Sequence, residues 1–383
     1  MDRRVTTLVL GAGKIGQMIA QLLSGTGDYS VCVADVDSRS LGRWPAGSDV
    51  ETRVLDVTDP QALRQAMVGR QVVISALSYH FNPLVAQAAL DTGSDYFDLT
   101  EDVATTRAVR AVSQEAGPHQ IFVPQCGLAP GFVSIVGHHL VRQFDQVDTV
   151  HMRVGALPQF PTGRLKYNLT WSTDGLINEY CNVCEAIYDG RRREVLPLDG
   201  LESFSLDGVR YEAFHTSGGL GSLCETLEGQ VRELDYKTIR YPGHREFLAF
   251  LLQELRLSQN RDMLKQILEH AIPITSQDVV IVFCTVTGRR AGRLVKMSDA
   301  RKIYSAEMAG EQWSAIQLTT AAGVCTMVDL RREGTLPVRG WVKQEEVPLP
   351  QFLANRFGAL FAGGPTTQCS RLTESPGLAT VDF

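Results

Sequence analysis

Apolar, β-prone runs alternate with segments of helical apolar spacing along roughly the first third of the chain. TTLVL, YSVCVAD and QVVISALSYH are such runs, whereas QMIAQLLSG and NPLVAQAALDTG place their apolar residues at helical spacing. QVVISALSYH is apolar almost throughout, as is typical of a parallel strand that helices cover on both faces. The alternation predicts an α/β fold built on a Rossmann-type, doubly wound parallel sheet.

The pattern changes from about residue 150 onward. DVVIVFCTVTG and KIYSAEM are strong strands separated by a polar turn, which predicts an antiparallel pair. A long segment with apolar residues at helical spacing follows, WSAIQLTTAAGVCTMVDLRREG. We therefore expect a second, mixed α/β domain, followed by a helix that packs back on the first domain.

These patterns also predict the domain boundaries. Residues 1–127 would form a dinucleotide-binding domain, which the returning segment 311–363 completes. Residues 128–310 would form a substrate and dimerisation domain. The polar, proline-bearing residues 364–383 would form a flexible tail.

Composition narrows the class of protein. The 383 residues suffice for two domains, and 44% hydrophobic with 21% charged residues is typical of globular proteins. A formal charge of −6 and a pI of about 5.8 argue against a general nucleic-acid binder. No apolar run approaches the roughly 18 residues that cross a bilayer, so no membrane partner is expected.

The cysteines and the N-terminus predict a cytoplasmic protein. Cys181 and Cys184 form the one C-x-x-C among eight cysteines, and no second pair completes a zinc site. The apolar run after Arg3 and Arg4 is too short for a secretion signal and leads directly into glycines. We therefore expect reduced thiols and no bound metal.

The best-defined motif is GAGKIG, which joins the first strand to the first helix. A G-x-G-x-x-G in that context is typical of a dinucleotide site, because each glycine has a separate task. Gly11 permits the tight turn, Gly13 lets a diphosphate approach the backbone, and Gly16 lets helix and strand pack closely. Lys14 and Ile15 lie inside the loop, at the start of a helix whose free N–H groups attract the anion.

An acidic residue ends the second strand. Asp35 lies 24 positions after Gly11, close to the spacing of about 20 expected for the carboxylate that holds the adenosine ribose hydroxyls. That carboxylate would repel a 2′-phosphate, so we expect NAD rather than NADP as the cofactor. Arg39 and Arg43 follow soon after and could soften this preference.

Ligands of such sheets lie beyond the carboxyl ends of the strands. Asp56 and Val57 end the predicted third strand, ETRVLDV, and are expected near the adenine. Ala76 and Leu77 lie toward the carboxyl end of the predicted fourth strand, QVVISALSYH, and are expected near the nicotinamide.

A second glycine-rich turn, QCGLAPGF, follows the last strand of the first half. Gly127 and Gly131 allow close backbone approach, and Pro130 stiffens the turn. We expect this turn to cross over the nicotinamide as the chain leaves the sheet. A plain linker between the domains is the alternative.

Seven stretches, spread over roughly residues 5 to 357, resemble the saccharopine dehydrogenase-like oxidoreductases. They are VLGAGKIG, CGLAPGF, NLTWSTDGLINEY, AFHTSGGLGSLCETLEG, YKTIRYPGH, TTAAGVC and GWVKQEEV. GLAPG, the TSGG segment and YKTIRYPGH are specific in combination, whereas the glycine loop is not. The resemblance implies a homodimer that oxidises an amine with NAD, and it is nearest to the L-lysine 6-dehydrogenase branch.

The chain departs from the family pattern at one position. Saccharopine-forming reductases usually carry an aspartate in the turn, as L-D-P-G, whereas this chain has Ala129, whose methyl group cannot relay a proton. The resemblance therefore implies deamination of lysine or a similar diamino acid to a semialdehyde that closes to a cyclic imine. A reductive condensation of the saccharopine or carboxynorspermidine type, and an NAD-binding sensor without catalysis, stay open.

Amine oxidation needs a base that takes the ammonium proton, with a pKa near the working pH. His80 follows the fourth strand and Asp102 the fifth, so both are expected to face the nicotinamide and are the predicted catalytic residues. Glu101 is a near substitute for Asp102. An ordinary loop position stays open for His80, and a cap of the helix beginning near Thr105 stays open for Asp102.

Arg240 in YKTIRYPGH is the predicted partner of the substrate carboxylate, because a guanidinium can pair with it through two parallel bonds. The alternative is an ion pair with Glu212, Glu225 or Asp235. The other predicted substrate-binding residues are His244, Thr216 and Ser217 for hydrogen bonds, Trp171 as an apolar wall, and Glu179 for an amino group. A core position for the tryptophan and a solvent position for the glutamate stay open.

Overall fold

The computed structural model describes residues 4–44, 47–308, 310–362 and 366–371. The strands, in chain order, are β1 (Val5–Leu10), β2 (Tyr29–Asp35), β3 (Val50–Val54), β4 (Val72–Ser75), β5 (Asp95–Asp98), β6 (Ile121–Val123), β7 (Gln146–Pro158), β8 (Cys184–Tyr188), β9 (Arg191–Val195), β10 (Glu202–Leu206), β11 (Val209–His215), β12 (Glu233–Arg240), β13 (Asp278–Arg290), β14 (Arg293–Tyr304), β15 (Ala306–Met308), β16 (Glu311–Trp313), β17 (Gly340–Trp341) and β18 (Thr366–Arg371).

The α-helices of the described residues, in chain order, are α1 (Lys14–Ser24), α2 (Ser38–Leu41), α3 (Pro60–Met67), α4 (Asn82–Thr92), α5 (Val103–Ser113), α6 (Phe132–Val141), α7 (Thr173–Cys181), α8 (Leu223–Leu227), α9 (His244–Ala249), α10 (Arg261–Ala271), α11 (Ala315–Arg332) and α12 (Leu349–Ala354). None of these helices combines the length and the apolar composition that crossing a membrane requires.

The first domain is a doubly wound sheet. Seven parallel strands lie in the order β17-β6-β5-β4-β1-β2-β3. Because side chains alternate along a strand, Leu8 and Leu10 pack with helices α3 to α5 on one face, and Val9 packs with α1 and α11 on the other. The predicted Rossmann-type class is confirmed.

Segments from the end of the chain pack on this first sheet. Strand β17 pairs in parallel with β6 at the sheet edge. Helix α11 lies against α1, and it approaches the end of β6 so closely that a Cβ on Gly323 would lie 2.4 Å from the Cys126 carbonyl oxygen. The helix predicted from WSAIQLTTAAGVCTMVDLRREG thus packs on the first domain.

The second sheet has nine strands and mixed direction. Its main path is β10-β11-β12-β7-β13-β14-β18, while β8 pairs with β12 and with β9. Strands β12 and β7 are parallel, whereas β13 and β14 form the antiparallel pair predicted from the sequence. Helix α6 packs against β7 and β13, so the chain enters this domain through the helix that follows QCGLAPGF.

Two segments differ from the sequence-based prediction. The sequence predicts NLTWSTDGLINEYCNVCEAI as a loop leading into a helix, but the helix ends at Cys181, because Asn182 has extended backbone angles and the β-prone residues after it form β8. Within the predicted tail, residues 366–371 form β18, which pairs with β14. The rest of that tail lies outside the described residues.

Candidate active site

A cavity of about 220 Å³ lies between the carboxyl edge of the first sheet and the second sheet. The first domain lines it with Ile15 and with residues 76–79, 99–101 and 127–129. The second domain lines it with residues 154–156 of β7, one side of α7 and one face of β12. The charged side chains among the described lining residues are Glu101, Asp174, Glu179 and Arg240. The lining therefore has three carboxylates and one cation.

The glycine loop leaves open backbone at the start of α1. Gly11 has φ +101°, and a Cβ on Gly16 would lie 1.9 Å from the Gly11 carbonyl oxygen. By contrast, a Cβ on the exposed Gly13 would meet nothing within 4 Å. Helix α1 has no side-chain cap and no acidic residue in its first turn. The loop therefore fits the diphosphate of a dinucleotide, since its N–H groups and the positive helix end stay available to an anion.

Asp35 is fixed beside this loop. Its Oδ2 accepts a hydrogen bond from the Ala12 N–H at 2.7 Å, and its Oδ1 accepts one from the Asp37 N–H at 2.9 Å. The nearby Arg39 pairs with Asp37 at 3.1 Å, and 90% of its side chain is exposed. The region expected to hold the adenosine ribose thus has an oriented carboxylate and an exposed cation close by.

The other residues predicted to bind the cofactor divide into two groups. Ile15, Ala76 and Leu77 line the cavity, where the nicotinamide is expected. Lys14 and Asp56 are exposed, and Val57 is buried; none of the three lines the cavity.

The QCGLAPGF turn is anchored to the first sheet by a buried carboxylate. Asp98 accepts a hydrogen bond from the Gln125 N–H at 2.9 Å, and burial raises the pKa of Asp98 to about 6. Gly131 has φ +125°, and a Cβ there would lie 2.2 Å from the Gly127 carbonyl oxygen. The tight turn therefore requires glycine, and residues 127–129 form one wall of the cavity.

One face of β12 points into the cavity. Tyr236, Thr238 and Arg240 occupy alternate positions of the strand and all line the cavity. The tyrosine and the threonine were not predicted as site residues. The alternation within YKTIR is the sequence signal that could have identified them.

Helix α7 and the residue two positions before it contribute a second row. Trp171, Gly175 and Glu179 recur every four residues and all line the cavity. A Cβ on Gly175 would lie 2.4 Å from the Trp171 ring, so the glycine makes room for the indole beside the helix.

Arg240 is buried and oriented by neutral groups. Its Nε donates a hydrogen bond to the Tyr180 hydroxyl at 2.8 Å, and its Nη1 donates one to Thr238 Oγ1 at 3.1 Å. Its Nη2 lies 3.8 Å from Glu179 Oε2, which is beyond hydrogen-bond distance. Burial raises the pKa of Glu179 to about 8, an effect that Arg240 offsets only in part and that Glu101 increases. The guanidinium therefore keeps bonding capacity for a ligand carboxylate.

Glu101 reaches the second domain from the loop after β5. A Cβ on Gly175 would lie 3.3 Å from Glu101 Oε1, and a Cβ on Gly218 would lie 2.9 Å from the Glu101 Cβ. Burial raises the pKa of Glu101 to about 7, and the negative charge of Asp102 adds to the increase. Glu101, considered from the sequence as a substitute for Asp102, is thus the residue of the two that lines the cavity.

Both halves of the chain match known family models. Residues 7–122 match the one described as the saccharopine dehydrogenase NADP binding domain, and residues 127–360 match the saccharopine dehydrogenase C-terminal domain. The chain belongs to the saccharopine dehydrogenase family. The family resemblance predicted from the seven sequence stretches is therefore confirmed.

Relatives and solved structures agree with this family membership. The chain is 28% identical to the saccharopine dehydrogenase [NADP(+), L-glutamate-forming] of Saccharomyces cerevisiae over 64% of its own length and 57% of that protein, so it spans little more than half of this relative. The apo structure of the L-Glu forming saccharopine dehydrogenase from Saccharomyces cerevisiae has the same fold, with a TM-score of 0.75 and 18% identity over 96% of this chain and 100% of that one.

A second solved structure with this fold is the homospermidine synthase of Legionella pneumophila in complex with NAD. Its TM-score is 0.66 with 13% identity, and the match covers 100% of this chain and 96% of that chain. At these identities both structural neighbours support the fold of the saccharopine dehydrogenase family and leave the substrate open.

The two predicted catalytic residues lie outside the cavity lining. His80 is exposed, and its Nδ1 lies 3.0 Å from Ser78 Oγ. Asp102 caps helix α5, where it accepts a hydrogen bond from the Thr105 N–H at 2.7 Å. Their proposed role in proton transfer stays a prediction, and the position of Glu101 offers an alternative.

The predicted substrate residues are brought together only in part. Arg240, Trp171 and Glu179 line the cavity, whereas His244, Thr216 and Ser217 are buried beyond its lining. His244 Nε2 lies 3.0 Å from the Tyr180 hydroxyl, and burial together with the charge of Arg240 lowers the pKa of His244 to about 3. A neutral His244 thus contacts the tyrosine that orients Arg240.

The alternative ion pairs considered for Arg240 are absent from the described residues. Glu212 accepts hydrogen bonds from the backbone of residues 243 and 245, Glu225 pairs with Arg110, and Asp235 pairs with Arg153. The glutamate near Arg240 is Glu179, which the prediction had assigned to the substrate.

Proposed function

We propose that this protein oxidises the CH–NH₂ group of lysine or a similar diamino acid with NAD, giving a semialdehyde that closes to a cyclic imine. The charge balance of the cavity carries this proposal. Three carboxylates, those of Glu101, Asp174 and Glu179, accompany the single cation Arg240 among the described lining residues. Lys265, outside the lining, pairs with Asp174 at 2.7 Å, which leaves Glu101 and Glu179 as the carboxylates for two ammonium groups. A ligand with one carboxylate and two ammonium groups complements that balance.

The same balance argues against saccharopine as the substrate. Saccharopine carries three carboxylates, whereas the described lining offers them one guanidinium. The cavity volume of about 220 Å³ is also below the roughly 300 Å³ at which pockets for drug-sized ligands begin, and a nicotinamide would take part of it. A single amino acid suits this space better than two joined amino acids.

The roles follow from the lining residues. Arg240 would bind the substrate carboxylate through charge-assisted hydrogen bonds, and Tyr180 and Thr238 orient its guanidinium in advance. Trp171 and Leu128 supply apolar surface for a methylene chain. The nicotinamide nucleotide, when bound, supplies the hydride acceptor, while this chain binds and orients the substrate. Water then hydrolyses the iminium ion to the semialdehyde and releases ammonium.

We infer NAD as the preferred cofactor. Asp35 supports this preference, because an oriented carboxylate beside the ribose repels a 2′-phosphate. The matched family model is described as NADP-binding, whereas the Legionella structure contains NAD. Calorimetric titration with each nucleotide tests the inference: tighter binding of NAD is expected, and equal or tighter binding of NADP would assign Arg39 to the phosphate.

A reductive condensation is the second candidate function. The acidic lining would also suit a diamine, and the Legionella neighbour is named a homospermidine synthase. In that reaction Arg240 would bind no carboxylate of a diamine, and turnover would need two organic substrates. An NAD-binding sensor that catalyses no reaction is the third candidate function.

Steady-state assays separate these functions. Reduction of NAD would be followed with lysine, ornithine, saccharopine or 1,5-diaminopentane as the single organic substrate, and oxidation of NADH with pairs of amines and carbonyl acids. We expect turnover with lysine or ornithine and NAD alone. Turnover that needs two organic substrates, or that prefers saccharopine, would support condensation. Nucleotide binding without turnover in the whole panel would support the sensor.

Oligomeric state and location stay predictions. The family resemblance supports a homodimer, which light scattering would measure. The cysteine pattern supports a cytoplasmic location, which fractionation of the source cells would test.

A further inference from the structure

We propose that Glu101 takes the proton from the ammonium group of the substrate, and that Asn178 positions the Glu101 carboxylate for this step. The inference rests on the proposed function and deepens it. It assigns proton transfer to a residue of the first domain and its positioning to a residue of the second.

The chain makes room for Glu101 at two points of the second domain. Gly175, on α7, leaves only 3.3 Å between its Cβ position and Glu101 Oε1. Gly218 has φ +87°, and its Cβ position would lie 2.6 Å from the Glu101 carbonyl oxygen and 2.9 Å from the Glu101 Cβ. Any larger residue at Gly218 would displace the Glu101 backbone, whereas at Gly175 it would strike the Trp171 ring first and crowd the Glu101 carboxylate by a few tenths of an ångström.

Glu101 faces the cavity without a cationic partner. Within the described part of the chain no arginine, lysine or histidine forms an ion pair with it, whereas the neighbouring Glu179 lies 3.8 Å from Arg240. A substrate ammonium would therefore be the first cation to pair with the Glu101 carboxylate.

The surroundings of Glu101 keep its pKa close to neutral pH. Asp98 and Asp102 flank it on its own segment, Asp174 and Glu179 line the same cavity from α7, and Arg240 faces it from β12. Lys265 pairs with Asp174 at 2.7 Å, so two cations accompany these four carboxylates. Burial is the largest cause of the Glu101 pKa of about 7, and the negative charges of Asp102 and Asp98 add to the increase. A pKa near 7 suits a general base that must be ionised at neutral pH.

Arg261 orients the side-chain amide of Asn178. Arg261 Nη1 donates a hydrogen bond to Asn178 Oδ1 at 2.9 Å, and Arg261 Nη2 donates one to Asn182 Oδ1 at 2.7 Å. The carbonyl end of the Asn178 amide is therefore occupied, while its Nδ2 is buried with no hydrogen-bond partner in the described structure. Asn178 lies on α7 three residues after Gly175, whose Cβ position is 3.3 Å from Glu101 Oε1, so the two positions are neighbours on the helix surface. Its side-chain amide lowers the pKa of Glu101 and opposes the burial that raises it. It thus presents a donor to the ionised carboxylate.

Protons and electrons balance in the reaction of Glu101, the substrate amine and the oxidised nucleotide. An N–H bond of the ammonium breaks as an O–H bond forms on Glu101, which leaves a neutral amine. The electron pair of the adjacent C–H bond then leaves as hydride to an oxidised nicotinamide nucleotide. The substrate becomes an iminium ion that keeps the two remaining protons on nitrogen.

The test is the pH profile of kcat/KM for the best amine of the assay panel. For the wild type we expect kcat/KM to rise through a pH near 7 and then level off, because Glu101 must be ionised. Glu101→Gln should lose about 100-fold or more in kcat/KM and should lose the rising limb. Glu101→Asp should keep the limb at reduced rate. Glu246→Gln, an exposed glutamate outside the cavity, is the matched control and should follow the wild type.

Asn178→Ala separates positioning from mere structure. Loss of the amide donor, which favours the ionised carboxylate, should move the rising limb to higher pH, whereas a residue that only supports the fold would change the rate without moving the limb. An unmoved limb would overturn the role of Asn178, and this variant also decides the case if Glu101→Gln fails to fold.

The outcomes distinguish this inference from the proposed function. If the wild type oxidises an amine while Glu101→Gln keeps both the rate and the rising limb, the assignment of Glu101 is wrong and the function stands. If the wild type oxidises no amine in the panel, the proposed function is wrong and the assignment of Glu101 is wrong with it.

Discussion

Strand β12 carries charged side chains on both faces. The charges on one face are fully paired with each other, whereas those on the other face are not. On the face away from the cavity, Asp235 accepts a hydrogen bond from Arg153 Nη1 at 2.7 Å, and Lys237 Nζ donates one to Glu202 Oε2 at 2.9 Å. His151 Nδ1 also lies 2.7 Å from Asp235. Two cations and two carboxylates thus form a closed network.

On the cavity face the charges are incompletely paired. Arg240 lies 3.8 Å from Glu179, and one oxygen of that carboxylate has no hydrogen-bond partner in the described structure. Burial alone would raise the pKa of Asp235 as it does that of Glu179, but the hydrogen bond of His151 and the charge of Arg153 hold the pKa of Asp235 below its usual range. A closed network stabilises its charges without a ligand, whereas an open one needs a ligand to complete it.

The largest effect is expected when the cavity face loses its cation. Arg240→Gln should raise the activation free energy for lysine by roughly 3 to 5 kcal/mol, which lowers kcat/KM by about 10²- to 5 × 10³-fold, because the substrate carboxylate loses its partner. The loss for 1,5-diaminopentane, which has no carboxylate, should be much smaller. Lys237→Gln, on the opposite face of the same strand, is the control. Equal losses for both amines would show that Arg240 only supports the fold.

Removing a charge from the closed network should lower the free energy of unfolding and leave catalysis unchanged. Asp235→Asn should lower the free energy of unfolding by roughly 3 kcal/mol at pH 7, because Arg153 keeps Glu202 but loses its buried partner. The folded pKa is depressed, so this contribution is present above the unfolded pKa of about 3.9 and is lost as the pH falls through the folded value. Urea denaturation measures the change. A shifted pH profile of kcat/KM would contradict the separation of the two faces.

The open face should gain stability when its charge is removed. Glu179 has a folded pKa of about 8, above the unfolded value of about 4.3, so the wild type loses stability as the pH rises between those values. Glu179→Gln should therefore raise the free energy of unfolding by roughly 2 kcal/mol at pH 9, with little change at pH 4. Urea denaturation at both pH values is the measurement. A destabilised variant at pH 9 would mean that Arg240 pairs with Glu179 more strongly than a distance of 3.8 Å implies.

The two kinds of feature also differ in how far the sequence predicts them. Gly11, Gly13 and Gly16 were identified because a backbone cradle depends on local spacing, and the apolar runs predicted the first sheet for the same reason. Glu101 was underrated because its environment comes from Gly175 and Gly218, more than seventy positions away in the chain. Burial of that kind arises only after the domains pack, so no local pattern reveals it.

The smallest effect is expected at His80, which belongs to neither face of β12. Its side chain is exposed beside Ser78, and it does not line the cavity, so it cannot reach the amine without a movement of its loop. His80→Ala should change kcat/KM by less than about twofold and the free energy of unfolding by no more than about 0.5 kcal/mol, as is usual for exposed positions. A rising limb in the pH profile of kcat/KM alone cannot separate proton transfer by His80 from proton transfer by Glu101. The comparison of His80→Ala with Glu101→Gln does so: a loss above tenfold in His80→Ala, together with loss of the limb, would return the proton transfer to the histidine.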